Sequence, residues 1–361
     1  SDLPRTAAPS HYAIEIEPDT GALTFNGRSS VDLQVFAATP ELVLHANDLK
    51  IAEATLTPAG GGPAIPLTVT LDVDKHLAPF SAAEPIAPGA YRLTTRYTGT
   101  INTQANGLFA LDYADAATGE PRRGLFTQFE APDARRFAPM FDEPSYKATF
   151  DLSAIVPAAQ MAVSNMPVAR EEALTGGRKK VTFATSPKMS SYLLFFGLGD
   201  FERAMTKVGP TEVGVVTQRG VVDQAKFALD SSVDVLEEYN DYFGTPYPLP
   251  KLDNVASPGR SQFFGAMENW GAIYTFEYAL LLDPTISTQS DKQSVFSIAA
   301  HEIAHQWFGD LVTMSWWDDL WPNEGFASWM ESRTTAKLHP EWKTEMSSVV
   351  GARESAMARD A

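Results

Sequence analysis

A change of period divides this chain. Through roughly its first two hundred residues apolar and polar side chains alternate, as in His11–Glu17 (HYAIEIE), Ser30–Phe36 (SVDLQVF) and Tyr91–Tyr97 (YRLTTRY). Alternation puts every second side chain on one face, so these segments read as half-buried strands. Ala148–Val156, Lys180–Ala184 and Tyr192–Phe196 continue as buried strands, and the run from Pro58 through Gly60, Gly61 and Gly62 to Pro63 reads as a turn. The expectation is a large antiparallel sheet assembly over residues 1–203. Beyond it apolar residues recur at helical spacing. Gln224–Phe243 forms a helix stopped by Gly244. Ser290 and Asp291 can cap a helix reaching about Phe308 and closed by Gly309, Asn323 can cap another, and a last one runs from about Glu341. The fold class expected is therefore α+β and multidomain, with a β-rich unit over 1–203 and a helix-containing unit over 204–361.

Composition narrows the function classes. The chain carries a formal net charge of -17, which disfavours a nucleic-acid surface and suits cationic ligands, although solubility alone can explain it. With 44% hydrophobic and 20% charged residues it resembles ordinary globular proteins. Its longest apolar runs are far too short to span a bilayer. No cysteine occurs, so disulfides and thiolate metal sites are excluded. The first residues (Ser-Asp-Leu-Pro-Arg) lack an initiator Met and a signal-like stretch. The compartment stays open between cytoplasm and, after signal removal, periplasm or exterior.

The chemistry concentrates in His301-Glu302-Ile303-Ala304-His305, inside an expected helix. Side chains four apart lie one turn above each other, so both imidazoles can reach one ion. Two nitrogen donors of this kind suit zinc, one ion per chain. Glu302 is one step round the helix, placed to act as general base on a water molecule without binding the ion. A hydrolytic zinc site also needs a third protein ligand and an open position. Glu324, nineteen residues beyond His305, is the candidate; the other reading of it is a favourable charge at a helix N-terminus.

The spacing from His301 to Glu324, together with HQWFGDLVTMSWWDDLWPNEGFASW (His305–Trp329), resembles the gluzincin aminopeptidases of the aminopeptidase N family. GAMENWG, holding Gly265, Ala266, Met267, Glu268 and Asn269, resembles that family's exopeptidase motif. TQFEAPDARRFAPMFDEPSYKATF (Thr127–Phe150) resembles its N-terminal-domain signature, and YPLPKLD (Tyr247–Asp253) precedes the GAMEN stretch as in relatives. The resemblance implies an N-terminal antiparallel β-domain followed by part of a thermolysin-like catalytic domain. It also implies removal of single N-terminal residues from peptides with a free N-terminus. Glu268 and Glu130 would hold the substrate's α-ammonium, and the backbone at Gly265 and Ala266 would run beside the peptide. A cis Glu130–Ala131 bond is implied as well. A bifunctional epoxide hydrolase–aminopeptidase is disfavoured because those relatives carry Gln where Glu130 stands. A non-catalytic peptide-binding protein on the same scaffold is the remaining alternative.

Four positions depart from the family pattern: Met140, Asp310, Ser315 and Pro322, none of them a ligand. Asp310 and Ser315 could retune hydrogen bonds around the metal, and Pro322 suits extended backbone before an Asn323 cap. The family also places an oxyanion-stabilising Tyr some sixty residues past the glutamate ligand, whereas the last tyrosine here is Tyr278. The expectation is an N-terminal piece of a longer enzyme, whose further part would pack on this one.

Overall fold

The computed structural model describes residues 3–261, 264–344 and 357. Its N-terminal unit is built on an eight-stranded sheet, ordered Val168–Leu174, Arg178–Phe183, Thr149–Pro157, Ala7–Asp19, Thr24–Val35, Gly89–Thr100, Leu49–Pro58 and Ile65–Pro66. A four-stranded sheet (Met161–Ser164, Phe196–Gly199, Pro121–Gln128, Gly107–Ala114) and a three-stranded one (Thr39–His45, Leu77–Ile86, Thr68–Val69) accompany it. The alternation read from the sequence is borne out: Tyr12, Ile14 and Ile16 are buried on one face of Ala7–Asp19. One departure from an antiparallel assembly is Ala7–Asp19, which pairs parallel with Thr149–Pro157. The long excursion between those two strands supplies the crossover that a parallel pair needs.

A second departure concerns Tyr192–Phe196. Ser191–Leu193 is a turn of 3₁₀ helix, and the strand begins only at Phe196. Asn165 causes this: its Nδ2 donates to the Leu193 carbonyl at 2.7 Å and its Oδ1 accepts from Phe195 N at 2.8 Å. A side chain thus satisfies backbone groups that a ladder would otherwise use.

The second unit starts on a five-stranded sheet ordered Phe201–Val208, Thr211–Gln218, Lys251–Ser257, Ala272–Phe276 and Ala266–Met267. Its three middle strands run parallel and are buried, with antiparallel strands at both edges. The division between 203 and 204 falls inside Phe201–Val208. Three helices follow: α1 (Lys226–Phe243), α2 (Gln289–His305) and α3 (Leu320–Leu338). α1 ends at Gly244, which takes the left-handed conformation at φ 61, as its position past the last apolar residue predicts. The cap of α2 is Thr288, two residues before Ser290: its hydroxyl accepts from Asp291 N at 3.3 Å and Asp291 Oδ2 accepts from Thr288 N at 2.7 Å. α2 stops at His305, short of Phe308, because the chain turns there and His305 O accepts from Asp310 N at 3.0 Å.

α3 begins three residues before Asn323. A 3₁₀ turn over Trp317–Asp319 leads into it, and Asn323 is buried within the helix with its amide 3.0 Å from Met314 Sδ. Pro322 sits in the first turn, where backbone N–H groups have no intrahelical partner and proline costs little. Past α3, Pro340–Trp342 is 3₁₀ and Lys343 has φ 52, so the helix expected from about Glu341 starts a little later: Thr344 and Met357 are helical, and the residues between them lie outside the described residues. No described helix is long and apolar enough to cross a membrane.

His45 gives the β-unit a measurable acid sensitivity. Both of its ring nitrogens are buried without a partner. Burial, then the charges of Arg135 and His76, push its pKa from 6.5 down to about 3. The unfolded chain therefore binds a proton that the folded chain refuses. This contribution to stability is complete above about pH 6.5 and is lost as pH falls toward 3. His45 alone should cost about 2 kcal/mol between pH 7 and pH 5, and a His45→Leu chain should lose that part of the slope. Denaturant midpoints of both chains at the two pH values are the check.

Candidate active site

α2 lies between α1 and α3, and its register is set by packing. Tyr239 on α1 donates its hydroxyl to the Ala300 carbonyl at 2.7 Å, and Trp307 Nε1 donates to the Thr245 carbonyl at 2.9 Å. Ala299, Ala300 and Ala304 are buried, and their small side chains let neighbouring elements approach. His301 and His305 then project from one face, with their Nε2 atoms 3.1 Å apart. α3 brings Glu324 to them: Oε2 lies 3.4 Å from His301 Nε2, and Oε1 lies 3.5 Å from His305 Nε2.

These separations can be tested against a metal. Donor atoms at about 2.0–2.1 Å from a tetrahedral zinc lie roughly 3.3 Å from one another. The observed spacings of 3.1, 3.4 and 3.5 Å bracket that value. Both imidazoles are also oriented through their other nitrogen. His305 Nδ1 contacts the Phe308 carbonyl at 3.0 Å, and His301 Nδ1 contacts Glu331 Oε2 at 3.3 Å. Acceptors at Nδ1 keep the proton there and leave each Nε2 lone pair for an ion. Two imidazoles and a carboxylate are thus a donor set that fits a zinc-class ion.

The electrostatics point the same way. Burial opposes charge on His301, but contacts with Glu324 and Glu331 outweigh it and push its pKa up to about 10. His305 likewise rises to about 9, against burial, through Glu268, Glu324 and Glu302. Hydrogen bonds from His301 and His305 hold Glu324 well below the usual carboxylate range. A site that draws protons this strongly draws a dication too, and the dication must displace them.

Glu302 is buried, and its Oε2 has no hydrogen-bond partner. Burial raises its pKa, the charges of His301 and His305 oppose this, and Glu268 and Glu324 add to it, for a value of about 7. That is where a general base at neutral pH is most effective. Asp310 is fully buried with both carboxylate oxygens unpartnered, and burial followed by Glu268 pushes its pKa well up.

The N-terminal unit contributes Glu130. It sits just past Pro121–Gln128, ahead of the 3₁₀ turn Ala134–Arg136. Below it the chain is fixed by Arg135, whose N and Nε donate to Asp142 Oδ2 at 3.1 and 2.9 Å. The peptide bond that is cis is Ala131–Pro132, one residue beyond the expected Glu130–Ala131 bond. Proline's tertiary amide narrows the trans preference that an ordinary amide keeps. Glu130, Glu268 and Glu324 each place a carboxylate oxygen within 4.8 Å of the others. Burial, then Glu268 and Glu324, raise the pKa of Glu130 well above normal.

Glu268 belongs to the edge of the five-stranded sheet. Ala266–Met267 pairs with Tyr274 and Thr275, and Gly265 O accepts from Phe276 N at 3.1 Å. Met267 and Asn269 turn into the interior, leaving Glu268 buried between them with its Oε1 unpartnered. Gly271, just past this stretch, has φ 77, and a Cβ there would meet the Asn165 carbonyl oxygen at 2.5 Å. Only glycine fits that close approach.

One connection has no signal in the sequence. Gln306 donates through Nε2 to the Glu268 carbonyl at 2.9 Å and accepts through Oε1 from Gly271 N at 2.9 Å. The residue after the second histidine thereby ties the Glu268 loop to α2. Gln306→Ala should cost about 1–3 kcal/mol of stability through the unmet loop groups, measurable as a shift in unfolding midpoint. Glu331 was also missed, although a signal existed: it lies two helical turns after Glu324, on the same face of α3.

The comparisons with known proteins agree with this arrangement. Residues 8–193 match the Peptidase M1 N-terminal domain and residues 227–361 the Peptidase family M1 domain. An aminopeptidase N of Acetobacter pasteurianus is 41% identical over 91% of this chain and 90% of its own length. Aminopeptidase M1-D of Oryza sativa subsp. japonica is 44% identical over 94% of the chain, and the puromycin-sensitive aminopeptidase of Caenorhabditis elegans is 40% identical over the same share. The chain spans only 38% and 36% of the length of those two relatives. With both family domains matched in sequence order over most of its length, the chain belongs to peptidase family M1.

Proposed function

We propose that this chain carries the zinc centre and substrate clamp of an aminopeptidase that removes single N-terminal residues from peptides. The observation supporting this most is the grouping of Glu130 and Glu268 within 4.8 Å of Glu324. A bare zinc site hydrolyses wherever a peptide fits. Two extra carboxylates beside it, contributed by different units, favour a substrate whose charged amine lies one residue from the scissile bond. His301, His305 and Glu324 hold the ion. When bound, zinc supplies Lewis acidity to the scissile carbonyl and to a water nucleophile. Glu302, with one buried oxygen free, takes the proton from that water and returns it to the departing amine. The Ala266–Met267 edge strand offers unpaired backbone groups along which a peptide can lie as an added strand.

The residue types leave one role open. The resemblance calls for an oxyanion-stabilising tyrosine about sixty residues past Glu324, and Tyr278 is the last in these 361 residues. Losing one such donor costs on the order of 10²–10³ in turnover. We therefore propose that a form carrying that tyrosine turns over faster than these 361 residues alone. Zinc analysis combined with an amino-acid p-nitroanilide assay, on this chain and on a longer form, tests the reading. Zinc-dependent release that is faster in the longer form supports it. A zinc-loaded longer form that binds peptide but releases nothing would establish the non-catalytic alternative instead.

A further inference from the structure

The carboxylates of Glu130, Glu268 and Glu324, grouped within 4.8 Å of one another, pose a charge problem. Among the described residues, neither Glu130 nor Glu268 forms an ion pair with any lysine or arginine, and Glu324 pairs only with His301 and His305. Glu268 is 3% exposed, and its buried Oε1 has no hydrogen-bond donor. A buried ionised carboxylate with no donor is costly, so a cationic group is the natural complement. A dication on the two imidazoles leaves Glu130, Glu268, Glu302 and Glu324, in their ionised forms, with two surplus negative charges. A single α-ammonium cancels one of them; a second dication cancels both.

We propose that Glu130, Glu268 and Glu324 form a second divalent-cation site, sharing Glu324 with the ion held by His301 and His305. Its donors are oxygens only, which selects a hard cation of the calcium, magnesium or manganese class over zinc. Oxygens within 4.8 Å of one another lie about 2.8 Å or less from a common centre, close to calcium–oxygen distances and needing only a small contraction for manganese. The site draws on three separate elements, the turn after Pro121–Gln128, the stretch after Ala266–Met267 and helix α3. It therefore exists only when the two units are docked. Resting on the aminopeptidase reading, one consequence follows: this cation and a substrate's free amine compete for one place. Hard divalent cations then act as inhibitors competitive with free-amine ligands.

The test uses the chain loaded with one zinc, titrated with Mn²⁺ and followed by the electron paramagnetic resonance of free Mn²⁺. Zinc outranks manganese for nitrogen ligands, so the first ion stays in place, and zinc analysis after titration verifies this. One Mn²⁺ per chain is expected to bind, at least about tenfold more weakly in Glu130→Gln and in Glu268→Gln. Glu130→Asp, shorter but still charged, is expected to fall between, and unchanged circular dichroism and zinc content show that the variants are folded. Leucinamide, which carries a free α-amine, is expected to raise the apparent Mn²⁺ dissociation constant. Absence of stoichiometric binding overturns the proposal. So does Mn²⁺ binding that is the same in all variants, since the ion would then be on the acidic surface. Mn²⁺ binding lost in the variants but indifferent to leucinamide keeps the cation site and removes the amine-binding reading. Leucinamide binding without Mn²⁺ binding does the reverse.

Discussion

Replacing His305 by Ala is expected to weaken zinc binding by far more than a hundredfold. His305 is 1% exposed, would supply one of the two nitrogen ligands of the proposed site and is held by the Phe308 carbonyl at 3.0 Å. Losing a partner that only supports a ligand already costs 10–100-fold in affinity, so loss of the ligand sets a larger effect. The same chemistry fixes the pH dependence. Glu324, Glu331 and Glu268 raise the two histidines, to about 10 for His301 and about 9 for His305, so at neutral pH both imidazoles are protonated before an ion arrives. Zinc uptake should therefore release protons, and apparent affinity should fall as pH is lowered from 9. Calorimetry of zinc binding in buffers of different ionisation enthalpy measures the proton count directly. Zinc binding without proton release would show that both imidazoles are already neutral before the ion arrives.

The second large effect is expected at Glu302. Glu302→Gln keeps the shape and burial of the side chain but removes the base, for an expected loss of about 10²–10⁴ in hydrolysis. Zinc content should stay at one per chain, because no ligand is touched. This split separates Glu302 from His305, where zinc and turnover fall together. A Glu302→Gln chain that hydrolysed a p-nitroanilide at the unaltered rate would assign the base to another group, and Asp310, buried and unpartnered, would be the first to examine.

Legibility in the sequence followed the range of the interaction. His301, Glu302 and His305 were legible because helical rise alone places them, and their packing on α1 and α3 only confirms it. The strand alternation was legible for the same reason, each period being set by backbone geometry. Helix ends were read less well. Thr288 replaces Ser290 as the cap of α2, since a reciprocal pair with Asp291 outweighs either residue alone. Asn323 has a capping side chain but spends it inside α3 against Met314, and the 3₁₀ turn at Trp317 starts the helix earlier. At Tyr192–Leu193 an apolar run suited to a strand was bent by Asn165, a partner almost thirty residues away that no local pattern reveals.

The clamp lay further from what periodicity can give. Glu130 and Glu268 belong to different units, and only the docking of those units brings them within 4.8 Å of Glu324. Their pairing entered the sequence reading through family resemblance alone, because carboxylates are common on surfaces and neither has a distinctive spacing. Gln306 shows the limit from the other side. It directly follows a recognised motif, yet its role depends on the carbonyl of Glu268 and the amide of Gly271, which the sequence does not place beside it.

Selection of a free amine by Glu130 and Glu268 is the central claim, and it can be measured without turnover. The zinc-loaded chain is titrated calorimetrically with an amino-acid hydroxamate and with its N-acetyl counterpart, which present the same metal-binding group. The account predicts at least about tenfold tighter binding of the free amine, the scale of one charge-assisted hydrogen bond, and loss of that preference in Glu130→Gln and Glu268→Gln. Equal affinity for the two hydroxamates, or a preference untouched by both substitutions, would contradict it.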